Sequence, residues 1–315
     1  MRASKLLSII VPTYNEEQGI HEFYKRTKAV LDSLAPEFTY EIICVNDLST
    51  DQTLSKLKEL ALIDKQVKII HFSRNFGNQI AITAGIDAAN GDLAVIIDDD
   101  LQDPPELITS FIEKWLAGYK VVYGVRPNRK GVNPLFKQAA KLYYRLIGQL
   151  SETKIPKDTG DFRLIDKAVI DVLKNMREES RYYRGMVSWV GFKQIGIEYE
   201  RDPRYAGTST FSPMKYFRFA INGLTSFTDR PLYFSSALGI MITLISFIFL
   251  FILVGKKIID PSFSIPGWPS LITLVLFFGG IQLLSIGIVS IYISKIYREV
   301  KGRPLYVIEE TQNLD

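Results

Sequence analysis

Residues 94–106 read Ala94-Val95-Ile96-Ile97-Asp98-Asp99-Asp100-Leu101-Gln102-Asp103-Pro104-Pro105-Glu106. An apolar, β-branched run drives straight into three consecutive carboxylates and then a Pro-Pro turn. Three acids at neighbouring positions repel one another unless a cation sits among them, and their hard oxygens suit Mg²⁺ or Mn²⁺. The same residues also describe a solvated acidic turn, with an aspartate capping a helix that begins near Pro104. Charge alone leaves both readings open.

Three other polar groups follow apolar runs in the same way. Pro12-Thr13-Tyr14-Asn15-Glu16-Glu17 closes the run 6–11, Asn46-Asp47-Leu48-Ser49-Thr50-Asp51 closes 40–45, and Ser73-Arg74-Asn75-Phe76-Gly77 closes 67–72. Between these short strands the periodicity predicts helices. Asn15 would cap the first, with Glu16 and Glu17 in its opening turn and Ile20, Phe23, Val30, Leu31 and Leu34 on its apolar face. Residues 53–62 and the small-residue stretch 81–89 predict two more, before a fourth strand at 93–97 and a fifth at 121–124. Strands of five or six residues alternating with helices predict βαβ units and a parallel sheet with right-handed crossovers. All four polar groups then fall at one edge of that sheet, outside the strand ends, where open α/β folds bind ligands. Carboxylates, amides and an arginine converging there read as a nucleotide cleft. The first strand lacks a following Gly-x-Gly-x-x-Gly, which argues against a dinucleotide cofactor.

The 315 residues suffice for one large domain, or for a domain and an appendage. Apolar residues make up 47% of the chain but crowd into two uncharged runs, 232–254 and 271–293, where Gln282 is the one strongly polar interruption. Each run is long enough to span a hydrocarbon core as a helix. Between the polar loops and these runs, 215–227 mixes aromatics with Lys215 and Arg218, which suits a helix lying in a membrane interface. Lys215, Arg218 and Arg230 precede the first run, and Lys295, Arg298, Lys301 and Arg303 follow the second. The stretch between carries only Lys256 and Lys257, so both termini are expected on the cytoplasmic side. Gly279, Gly280, Ser285, Gly287 and Ser290 offer a surface for close helix approach, within the chain or across a homo-oligomer. The N-terminus shows no cleavage-site pattern and does not read as a signal peptide. The single cysteine, Cys44, lies in an apolar strand pattern and allows no intrachain disulfide, in keeping with a reducing compartment. A net charge of +4, partly beside the apolar runs, does not point to nucleic acid, and no zinc spacing or Walker loop is present.

Further motifs follow in Thr159-Gly160-Asp161-Phe162-Arg163-Leu164, Arg184-Gly185, Trp189-Val190-Gly191-Phe192, Arg201…Arg204…Gly207-Thr208-Ser209 and Ile296-Tyr297-Arg298-Glu299-Val300-Lys301-Gly302-Arg303-Pro304. Together with the four loops, and in this order over nearly the whole chain, they resemble the family 2 glycosyltransferases of the GT-A fold. The likeness is specifically to the membrane-anchored polyprenyl-phosphate glycosyltransferases. It implies an α/β, Rossmann-like, mostly parallel sheet domain over 1–210. Interfacial helices over 211–230, a two-helix transmembrane hairpin over 231–294 and a cytoplasmic tail over 295–315 would follow. The implied reaction is inverting transfer of a hexose, glucose from UDP-glucose first, to a polyprenyl phosphate such as undecaprenyl phosphate. A mannosyl, N-acetylhexosaminyl or aminoarabinosyl donor is the near alternative. A processive polysaccharide synthase would want a Gln-x-x-Arg-Trp motif and more spans; a non-catalytic membrane scaffold is the alternative from another class. The implied location is an integral membrane protein of the bacterial inner membrane.

The resemblance also assigns roles. Asp98 and Asp100 would hold the sugar nucleotide through Mg²⁺ or Mn²⁺, with Asp100 the first metal ligand, and Asp99 and Gln102 beside them. Pro12, Tyr14, Asn15, Glu16 and Asp47 would cradle base and ribose, with Arg74 nearby as a nucleotide ligand or an ion-pair partner. Asp161 would face the acceptor as the candidate base or as a positioning group, with Asp158 and Asp161 capping the loop and helix as the plainer reading. Arg126, Arg163, Arg201, Arg204 and Ser209 would meet the acceptor phosphate, with Arg129 and Lys130 fainter candidates. Two departures stand out. Leu48 occupies a position where the family usually has glycine, and Asp99 one where it usually has a small residue. Thr210 also replaces the basic residue that commonly follows Ser209.

Overall fold

Strand β1 (Lys5–Thr13) is buried along seven of its nine residues, and the rest of the sheet is assembled around it. In a computed structural model of the chain, which describes residues 4–126, 156, 159–179, 181–200, 230–260 and 267–314, β1 pairs in parallel with β2 (Phe38–Asn46) on one side and β4 (Leu93–Ile96) on the other. Outside β2 lies β3 (Val67–Phe72), again parallel. Outside β4 lies β6 (Thr159–Asp166), antiparallel, then β5 (Val121–Val125) and β7 (Gln194–Glu198). The last strand, β8 (Ile308–Gln312), returns antiparallel to β3 and closes the opposite edge. The eight-stranded order is β7-β5-β6-β4-β1-β2-β3-β8.

Alternate residues of β1 feed opposite faces, as strands buried on both sides require. Leu7, Ile9 and Val11 meet helices α1 (Ile20–Ser33), α2 (Thr53–Ile63) and α4 (Leu107–Leu116). Ile10 meets α3 (Asn78–Ala88), α5 (Lys167–Asn175) and α6 (Tyr183–Trp189). Each fully buried Ile or Val adds about 1.5–3 kcal/mol. Helix α3 lies unusually close, because a Cβ on Gly85 would fall 2.2 Å from Ile10 Cγ2. That contact fixes where the N-terminus of α3 stands relative to the sheet edge.

The four expected βαβ strands are present, strand β6 joins them unannounced, and two local readings change. Residues 159–166 form this buried strand, and the helix after it starts at Lys167, capped by Asp166, which accepts from Ala168 N at 3.0 Å. Asn15 does not cap α1, which begins at Ile20 after Gly19 with no side-chain cap. The expected tail 295–315 divides: among the described residues, 304–314 group with the sheet, while those up to 303 group with the two long apolar helices as a second unit.

That second unit contains α7 (Arg230–Ile259) and α8 (Trp268–Val300). Ser235–Leu253 and Phe277–Val300 are long and apolar enough to cross a membrane. Many of their large side chains, among them Phe249, Phe251, Leu283 and Leu284, are more than half exposed. A core helix of a soluble protein would bury them. Ser236, Ser246 and Ser290 each donate to the carbonyl four residues back, at 3.1, 2.8 and 2.8 Å, so these hydroxyls need no water. The interfacial segment expected at 211–230 lies, but for Arg230, outside the described residues.

Candidate active site

The loops after β1, β2, β3 and β4 meet at one sheet edge. The first two are knitted together: Asn15 Oδ1 accepts from Thr50 N at 2.8 Å, Asn15 N donates to Ser49 Oγ at 3.0 Å, and Glu16 N donates to Thr53 Oγ1 at 3.0 Å. Asn15, Leu48 and Leu101, one in each of three loops, hold positive φ of 55°, 55° and 58°. Asparagine tolerates that region; leucine there costs about 1–2 kcal/mol. Leu48 therefore does adopt the backbone for which the family's usual glycine is suited.

Asp47, 2% exposed, accepts from the Phe76 and Gly77 amides at 2.6 and 2.8 Å. Burial raises its pKa, against the pull of those amides and of Arg74. Its carboxylate thus ties the β2 loop to the β3 loop. Arg74 is exposed and lays its guanidinium 3.9 Å over the Phe76 ring. Pro12 is buried within β1, and Tyr14 beyond it is 47% exposed.

The acidic triplet separates by direction. Asp99 is 3% exposed, and burial, with Glu16 alongside, raises its pKa well above the carboxylate range against a Thr13 hydrogen bond. Its Oδ2 finds no partner. Asp98 and Asp100, on either side, are both partly exposed. Asp98 is raised to about 7 by burial first, then by the fields of Asp161, Asp103 and Asp100. Asn78 Nδ2 donates to its Oδ1 over a long 3.4 Å. The Gln102 amide donates to Asp100 Oδ1 at 3.1 Å. Crowded carboxylates with oxygen donors only are the setting that Mg²⁺ or Mn²⁺ relieves, so the residues fit such an ion. Among the described residues no three ligating side chains converge into a complete cage. Magnesium sites commonly have that incomplete form, with substrate phosphates supplying the remaining oxygens.

Asp161, on β6, is 8% exposed and pairs with Arg184 of α6, Nε to Oδ1 at 2.8 Å. Burial opposes its charge, but Arg184, with Arg163 and Arg126 behind it, holds the carboxyl below the usual range. It caps neither loop nor helix. Arg163 is 4% exposed, donates to Gly160 O at 2.8 Å and lies 5.1 Å from the Tyr183 ring centroid. Burial lowers its pKa. Arg126 donates to both oxygens of Asp103 at 2.8 and 2.6 Å and to Tyr199 OH at 2.6 Å. Tyr199 OH in turn donates to Asp103. Asp103 therefore serves no helix cap; it ties the end of β5 and the residue beyond β7 to the acidic loop. Asp158, Arg129, Lys130, Arg201, Arg204 and Ser209 lie outside the described residues. The chain brings Asp98, Asp100, Asp103 and Asp161 into one field, joined by Asn78, Gln79 and Arg184, which the sequence reading gave no role at the site.

Residues 8–173 match the family model described as glycosyl transferase family 2. An uncharacterized glycosyltransferase of Bacillus subtilis is 48% identical over 308 residues, covering 98% of this chain and 94% of that protein. An uncharacterized glycosyltransferase of Synechocystis is 42% identical over 309 residues, covering 98% and 96%. A bactoprenol glucosyl transferase of Shigella phage SfII is 38% identical over 305 residues, covering 97% and 98%.

Proposed function

Because the chain belongs to glycosyl transferase family 2, we propose that this glycosyltransferase moves glucose from UDP-glucose to undecaprenyl phosphate or a closely related polyprenyl phosphate, with inversion at the anomeric carbon. The observation that carries the reading is the juxtaposition of a partly exposed acidic pair, Asp98 and Asp100, with an arginine-held carboxylate, Asp161, in a protein that also bears two membrane-length apolar helices. A lipid acceptor is supported by the phage relative's name as a bactoprenol glucosyl transferase.

The donor would lie in the cleft made by Pro12, Tyr14, Asn15, Glu16, Asp47 and Arg74, with Asp99 and Gln102 shaping the loop beneath its diphosphate. Asp98 and Asp100 would hold Mg²⁺ or Mn²⁺, which when bound stabilises the charge that develops on the departing nucleoside diphosphate. An acceptor phosphate oxygen bonds to the anomeric carbon as the bond from that carbon to the diphosphate oxygen breaks. A phosphate monoester is already largely ionised at neutral pH, so no strong base is required. Asp161, kept anionic by Arg184, acts by holding positive groups at the acceptor side. Arg126, Arg163, Arg201, Arg204 and Ser209 are proposed to serve the acceptor phosphate, Arg126 and Arg163 through the network described above.

The membrane helices would form a hairpin with both ends on the cytoplasmic face, supported by the Lys and Arg distribution and by the return of β8 to the sheet. The test is a donor panel: purified protein in nanodiscs, undecaprenyl phosphate, Mn²⁺, and radiolabelled UDP-glucose, GDP-mannose or UDP-N-acetylglucosamine. Lipid-linked product is expected with UDP-glucose; folded protein giving product with none of the donors would sink the reading. Full metal-dependent activity in Asp100→Asn would remove Asp100 as the metal ligand.

A further inference from the structure

The side chain of Gln79, in the first turn of α3, touches two elements at once. Its Oε1 accepts from the Tyr183 backbone N–H at 2.8 Å, and its Nε2 donates to Asp161 Oδ2 at 3.3 Å. The orientation of the amide is not arbitrary. Tyr183 N can only donate, so the oxygen must face it, and the nitrogen is left to the carboxylate. Tyr183 is the first residue of α6, whose opening N–H groups have no partner within the helix. Gln79 thus caps α6 from a neighbouring helix, and the next residue of α6, Arg184, places Nε 2.8 Å from Asp161 Oδ1 and Nη2 3.3 Å from Oδ2.

One amide consequently holds both halves of the Asp161–Arg184 ion pair: the carboxylate directly, and the guanidinium through the start of its helix. Its own place is fixed by the close approach of α3 to β1 at Gly85 and by Thr83 Oγ1 donating to Gln79 O at 2.8 Å. The preceding residue, Asn78, reaches Asp98. Two consecutive amides therefore stand between the carboxylate on the proposed donor side and the one on the proposed acceptor side.

We propose that Gln79 is a positioning residue of the transfer reaction, setting the Asp161–Arg184 pair in the geometry that meets the acceptor phosphate. This rests on the reading that Asp161 faces the acceptor. A ~1 Å displacement at a reacting centre commonly costs about a hundredfold in rate, so loss of the amide is expected to be visible without loss of donor binding.

The experiment uses the full chain in nanodiscs, undecaprenyl phosphate and whichever donor gives product with the wild type, comparing Gln79→Leu and Gln79→Glu. Gln79→Leu is expected to lower kcat about 10- to 100-fold or raise the acceptor KM to a like extent. The UDP Kd by calorimetry should stay within about twofold of wild type. Gln79→Glu keeps the acceptor for Tyr183 N but sets a second carboxylate against Asp161. It is expected to be the poorer enzyme at pH 8 and to recover towards wild type as the pH falls to 6, when the new carboxyl is protonated and donates again. A purely structural role would lower donor binding and turnover together and give no such recovery. Wild-type kcat and acceptor KM in both variants, or parallel loss of UDP binding, would overturn the inference while leaving the wild-type reaction standing. Absence of product from the wild type would remove the functional reading and this inference with it.

Discussion

Asp98 carries the most telling charge at the sheet edge, because its carboxyl is raised to about 7 by burial and by Asp161, Asp103 and Asp100. As the metal ligand proposed above, Asp98 must lose its proton before it binds. With UDP present, the apparent affinity for Mn²⁺ is expected to climb about tenfold per pH unit from 5 to 7 and to flatten above 7. Titration calorimetry across that range reads it directly, and a flat profile would take Asp98 out of the coordination sphere. Without metal the sign for stability is the reverse: a carboxyl whose folded pKa lies above its unfolded value loses its contribution as pH rises from about 4 to 7. At this scale the sequence was informative about types and silent about direction. Nothing in Asp98-Asp99-Asp100 marks the middle residue as the buried one; its inward turn, beneath Thr13 and beside Glu16, is set by two other loops. Leu48, in contrast, was flagged by the family resemblance, which puts glycine there, and its φ of 55° bears out that the turn needs the left-handed region. Leu101, strained in the same way, gave no such signal.

Two elements that went unread, β6 and β8, have sequences that run against strand preference. In β6, Phe162 and Leu164 enter one core layer and Ile165 the other, a clear period of two. The polar Thr159, Asp161 and Arg163 mask it; inside the sheet Thr159 donates to Pro156 O, Asp161 pairs with Arg184 and Arg163 donates to Gly160 O, which leaves only Arg163 Nε among their buried polar atoms without a partner. β8 reads Ile308-Glu309-Glu310-Thr311-Gln312, a charged sequence that suits an exposed edge better than a core. Its ladder to β3 is reinforced from outside the strand. Tyr306 stacks on Phe72 at 5.3 Å and donates to Asp87 Oδ2 at 2.9 Å, while Asn313 Nδ2 donates to Ala61 O and Val67 O at 2.8 Å each. Tyr306→Ala is therefore expected to destabilise the sheet unit by about 2 kcal/mol, from lost packing and a lost hydrogen bond, and Tyr306→Phe by about 1 kcal/mol. Denaturant unfolding of the two variants measures this. Equal stability in both would mean that β8 is held by its ladder alone.

At the scale of the whole molecule the sequence was most readable where physics leaves least choice. Two uncharged runs of membrane length and four apolar runs ending in polar loops each admit few structures, and both features are present. The proposed hairpin has a test that the chain itself makes clean. Cys44 is buried and its thiol pushed far up by that burial, so it is unreactive towards a maleimide. A cysteine introduced at Lys257, in intact cells, is expected to react with a membrane-impermeant maleimide added outside, whereas one introduced at Ser4 should react only after the cells are opened. Equal labelling of both from outside would reverse or abolish the hairpin.

The pairing of β8 with β3 also bears on how the protein is made. Residues that touch across that seam, such as Val67 and Asn313, stand 246 positions apart, and α7 and α8 are translated between them. The first seven strands are in hand before either apolar helix emerges, yet the β3 edge stays uncovered until synthesis has passed them both. Completion of the sheet thereby waits for both apolar helices to be synthesised. A chain stalled or truncated in either apolar helix presents an open strand edge, the kind of surface that aggregates or is recognised by chaperones. Maturation of the proposed catalytic unit is in this sense timed by the segments that would anchor it.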